Sequence, residues 1–99
     1  MTPELRAALF ADAADRTDRD AFVAAHSHTA DPDKLKHFWR TAHYSVGEIC
    51  QFAAVSLSEL SQRSLVPYST LQRWAYDDEK FTVRNRYYLL ILTGLLPDL

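Results

Sequence analysis

One proline between two helix-forming runs constrains this chain more than any other feature. It lies within residues 57–76, LSELSQRSLVPYSTLQRWAY. Pro67 cannot occupy a helix interior, because it has no N–H and its ring clashes with the preceding turn. It also pushes Val66 away from helical angles. At a helix entry the missing donor does no harm, so Pro67 predicts a helix over residues 68–74. Upstream, Ser56 and Glu59 stand at capping-box spacing, which predicts a first helix from Leu57 to Ser64. Leu57, Leu60, Val66, Leu71 and Trp74 then face one core. Tyr68, Ser69, Gln72, Arg73 and Tyr76 face outward. A short helix with one buried stripe and hydrogen-bonding side chains opposite is what a DNA major groove admits.

The spacing of Leu60, Ser61, Val66, Leu71 and Trp74 resembles the helix-turn-helix of the lambda-repressor/Cro (Xre-type) DNA-binding family. Two positions depart from its pattern. Leu65 stands where the family has glycine, and Ser61 where it has alanine. Glycine there permits a positive φ that leucine tolerates poorly, so either the turn takes another geometry or Leu65 is strained. The resemblance implies an all-α fold: a lambda-repressor-like helix-turn-helix core at residues 45–99, with an N-terminal helical extension over residues 1–44. It also implies that Tyr68, Ser69, Thr70, Gln72, Arg73 and Tyr76 lie against duplex DNA. Arginine can read guanine and glutamine adenine, each through two hydrogen bonds. Arg84 and Arg86, at the start of the last helix, are expected to clamp phosphate.

Charge argues the other way. The chain carries a formal −2 and a pI near 6.0, whereas phosphate binding usually shows as a basic surface. Residues 1–44 hold seven acids and six bases, and residues 45–99 hold six acids and five bases. The bases Arg63, Arg73, Lys80, Arg84 and Arg86 gather in and after the motif, interrupted by Asp77, Asp78 and Glu79. The single cysteine, Cys50, excludes an intrachain disulfide and suits a reducing compartment. There is no basic-then-apolar leader, and the longest apolar run, residues 87–92, is too short to span a bilayer. A cytoplasmic protein with no membrane contact is the expectation.

The remaining elements follow from caps and periodicity. Thr2, Pro3 and Glu4 open a helix that continues to about Arg16 through Leu5, Ala8 and Leu9. Thr17 starts a short helix with Ala21, Phe22 and Ala25 inside, and residues 26–30 read as a loop. Asp31 and Pro32 open a third helix whose Leu35, Phe38, Trp39 and Ala42 are expected in the core. Ser45 and Glu48 repeat the capping box before Ile49, Phe52, Ala53 and Val55. Thr82 caps a last helix from Val83 to Thr93, stopped by Gly94, with Tyr87, Leu90 and Ile91 inside. An alternative for this end is a β-hairpin turning at Arg84 and Asn85, which would make a winged helix.

No catalytic constellation stands out: there is no nucleophile elbow, phosphate loop or paired-carboxylate pattern. His26, His28, His37 and His43 lack ligand spacing, so neither metal nor cofactor is expected, and the chain does not read as an enzyme. The expected function is a sequence-specific DNA-binding transcriptional regulator, a repressor or autoregulator of a mobile element or toxin–antitoxin system. A homodimer is expected, because one short helix reads few base pairs. The N-terminal helices would supply dimerisation or a protein partner. The alternative is a protein-binding module or inhibitor that keeps the helix-turn-helix fold without DNA affinity, for which the many tyrosines speak.

Overall fold

A computed structural model describes residues Met1–Leu99. It is all-helical, with seven α-helices, one 3-10 turn and no strand. The chain divides into two units, one of Met1–His43 with Leu96–Leu99, the other of Tyr44–Leu95. Compared with a division at residue 44, Tyr44 goes with the second unit and the last four residues go with the first.

In the first unit, α1 (Pro3–Asp15), α2 (Arg19–His26) and α3 (Pro32–Thr41) enclose Phe10, Phe22, Leu35 and Phe38. Phe38 meets Phe10 edge-on at 6.1 Å and lies parallel to Phe22 at 6.4 Å. Both are favoured aromatic geometries. Polar side chains satisfy the C-terminal end of α1. Trp39 Nε1 donates to the Arg16 carbonyl (2.9 Å), and His43 Nε2 bonds the Ala13 carbonyl (2.9 Å). Arg6 holds the chain's end by donating to the Leu96 and Pro97 carbonyls. Several sequence expectations shift here. The α2 cap is Asp18 rather than Thr17, and Ala21 and Ala25 are exposed. Trp39 is half-buried, because its indole N–H reaches for the Arg16 carbonyl at the rim of the core.

The second unit begins with α4 (Val46–Ala53) and α5 (Leu57–Ser64), each opened by a complete Ser–Glu capping box. Then come α6 (Tyr68–Tyr76), the 3-10 turn Asp78–Lys80 and α7 (Val83–Thr93). Val46, Ile49, Leu60, Leu71, Leu89 and Leu90 are fully buried between them. The segment that could have formed a hairpin is α7, capped by Thr82 and closed by Gly94 at φ 72°. Its inner side is Arg86, Leu89 and Leu90; Ile91 is exposed and Tyr87 half-buried. The unbroken apolar run there gives periodicity nothing to select a face by. Helix α4 stops at Ala54 in the left-handed region, which leaves Val55 outside the helix, and Phe52 within α4 is exposed. No helix is long and apolar enough to cross a membrane.

Candidate nucleic-acid interface

Pro67 stands immediately ahead of α6 in an extended conformation, and its carbonyl accepts from the Leu71 N–H (3.1 Å). It acts as the cap position rather than as the first helical residue, and α6 runs two residues beyond Trp74. Leu71 is fully buried. Trp74 is half-buried and stacks on Phe81 at 5.5 Å, tying the C-terminal half of α6 to the segment after it. With the inner side so fixed, Ser69, Gln72, Arg73 and Tyr76 fall on one exposed row at i, i+3, i+4 and i+7. Tyr68 is exposed beside the row, and Thr70 is half-buried at its edge. Tyr76 is 96% exposed, the largest exposure of any bulky apolar or aromatic side chain.

The start of α6 differs from that of every other α-helix. Thr2, Asp18, Asp31, Ser45, Ser56 and Thr82 each cap a helix with a side-chain oxygen, whereas α6 has no side-chain cap. No acid lies in its first turn, and Arg73 occupies its last turn, where a cation suits the helix dipole.

Arg86 is not part of this surface. Against the expectation of a phosphate contact, it is only 8% exposed. Its Nε donates to the Tyr44 carbonyl (2.8 Å), and its Nη2 donates to both Asp78 carboxylate oxygens (3.3 Å each). The guanidinium lies 4.7 Å over the Phe81 ring. Leu89 and Leu90 set the inward phase of α7 and carry Arg86 in with them. Arg84, two residues earlier, stays outside.

The charge problem looks different at this level. The second unit holds five acids and five bases, so the whole −2 belongs to the first unit. Four of those five acids have local structural partners. Glu48 and Glu59 accept backbone N–H groups in the two capping boxes, where the helix dipole compensates them. Asp77 accepts from the Glu79 N–H, and Asp78 pairs with Arg86. Arg63, Arg73, Lys80 and Arg84 are exposed and enter no internal ion pair.

His26 and His43 serve the fold through bonds to Asp12 and to the Ala13 carbonyl. His26 Nε2 bonds Asp12 Oδ2 at 2.7 Å, and Arg16 Nε donates to the same oxygen at 2.9 Å. The His26 bond, and then Arg16, hold the Asp12 carboxyl below its ordinary pKa despite partial burial. Cys50 is half-buried, and burial pushes its thiol pKa up, away from the reactive thiolate. No family model matches the chain, and neither a curated protein nor a solved structure matches it.

Proposed function

We propose that the chain is a sequence-specific DNA-binding transcriptional regulator. In this reading α5 and α6 form a helix-turn-helix, and α6 reads the major groove. The observation that carries the reading is the exposed row Ser69, Gln72, Arg73 and Tyr76 on a helix anchored inside by Leu71 and Trp74. Arg73 reads guanine and Gln72 reads adenine. Tyr68 and Thr70 line the start of the helix, whose uncapped N–H groups suit a backbone phosphate. Arg63, Lys80 and Arg84 supply the neighbouring positive charge that a net-acidic chain would otherwise lack. The regulator acts as a homodimer on a two-fold site, with half-sites about 34 Å apart as two successive major grooves require.

The test is selection from a randomised duplex pool, followed by titration of the enriched duplex at about 50 mM salt, where phosphate contacts are strong. Arg73→Ala should weaken binding by roughly tenfold or more and relax the preference at one guanine. Failure to enrich any duplex, or indifference to Arg73→Ala, overturns the reading.

A second reading is a protein-binding module with the same fold. The bare ring of Tyr76 and the neutral balance of the second unit favour it. It predicts no duplex binding at any salt, and saturable binding of a protein partner that Tyr76→Ala abolishes.

A further inference from the structure

Two residues other than glycine hold left-handed backbone angles: Ala54 at φ 56° and Leu65 at φ 62°. They differ in what they carry. Ala54 ends α4 with a single methyl group, whereas Leu65 ends α5 with an isobutyl side chain that is 88% exposed. Leucine is unfavourable there because the left-handed conformation crowds its Cβ against the following carbonyl. Glycine would relieve that crowding.

The turn is nevertheless held firmly. Leu65 N–H donates to the Ser61 carbonyl (3.0 Å), and Ser61 Oγ donates to the Val66 carbonyl (2.6 Å). Val66 N–H donates to Ser64 Oγ (3.2 Å), and the Tyr88 hydroxyl donates to the Ser64 carbonyl (2.7 Å). These bonds grip the backbone on both sides, so Leu65 is locked in its unfavourable state in the free protein. Strain that its surroundings over-determine is a pointer to function.

We propose that Leu65 is a specificity-determining contact, preset to pack on the C5-methyl of a thymine beside the bases that α6 reads. The inference rests on the DNA reading of α6. Leu65 lies on the chain just ahead of Tyr68 and Ser69, at the end of α6 that a helix-turn-helix leads into the groove. With neither donor nor acceptor in its side chain, it cannot bond a phosphate or a polar base edge. The thymine methyl is the apolar feature of the major-groove edges.

The experiment uses the full chain and the selected duplex, made with thymine or with deoxyuridine, which lacks only that methyl. Leu65→Gly should raise Tm by a few degrees, as relief of a left-handed leucine in a domain this size implies. It should also weaken binding about fivefold, and deoxyuridine should weaken parent binding by a similar factor, each near 1 kcal/mol. Leu65→Gly should be indifferent to the deoxyuridine duplex. Leu65→Ala should lose affinity without the gain in Tm, and Ala54→Gly should gain Tm with binding unchanged. If Leu65→Gly binds like the parent while Arg73→Ala loses binding, the inference fails and the DNA reading stands. If the unsubstituted chain binds no duplex, both fail. A parent indifferent to deoxyuridine, or a Leu65→Gly chain that sediments as a smaller species, also overturns the inference, the latter by placing Leu65 between two copies.

Discussion

The two units solve the same problem, closing three or four short helices on a core, with different materials. The first packs aromatic rings: Phe10, Phe22 and Phe38 are all essentially inaccessible. It carries eight of the thirteen acids. The second centres on aliphatic side chains, with Tyr44 and Phe81 beside them, and carries equal numbers of acids and bases, with most of its carboxylates turned to capping or pairing. A net charge summed over the whole chain therefore says little about a surface confined to one unit. An overall −2 is compatible with a locally basic face when the acids sit elsewhere or are locally compensated.

That contrast can be broken at its strongest point first. Phe38→Ala removes the ring that both other phenylalanines touch and should destabilise by about 4 kcal/mol. Hydrogen exchange should show amides of α1–α3 losing protection while those around Leu89 and Leu90 keep theirs. Loss of protection throughout would mean that the two units do not unfold separately.

Next in size is Arg86→Leu. The Asp78 side chain is 64% exposed, so their ion pair adds little by itself. The larger loss is the Tyr44 carbonyl left without its donor, together with packing over Phe81, about 2 kcal/mol in all by chemical denaturation. The slope of log affinity against log salt should not change for the folded variant, since no phosphate contact goes with it. A shallower slope would return Arg86 to the DNA surface.

Arg73→Ala sharpens the comparison from the other side. It should leave Tm within about a degree, as expected for an exposed surface substitution, while costing about 2 kcal/mol in duplex binding. Asp12→Asn tests the acidic unit and should have the smallest effect. Asp12 is bonded to His26 and Arg16 but partly solvated, so the loss at neutral pH should be about 1 kcal/mol after screening. Because the folded carboxyl has the lower pKa, its stabilising contribution is present above the unfolded value near 4 and fades as pH falls through the folded value. Acid titration of stability should therefore steepen below about pH 4 in the parent and less so in Asp12→Asn. Parallel curves would remove Asp12 from the account.

The two Ser–Glu boxes, Asp31–Pro32, Thr82 and Gly94 could be read directly, because capping depends on residues three or four apart in sequence. The outward row of α6 was legible for the same reason: Leu71 and Trp74 fix its phase. Three features were not. The inner side of α7 could not be chosen within an unbroken apolar run. Arg86 reads locally as a surface base, yet its buried guanidinium donates to the carbonyl of Tyr44, forty-two positions away. The left-handed Leu65 depends on Tyr88 as well as on its neighbours.

The sequence by itself determined that the chain is built of short helices, where the well-capped ones begin, and which residues α6 turns outward, since these are properties of neighbouring residues on one backbone. Only the tertiary structure decided which arginine is buried and that Leu65 is held in a conformation it disfavours. Those outcomes depend on groups far apart in the chain, whose meeting is driven by core packing and leaves no local pattern to read.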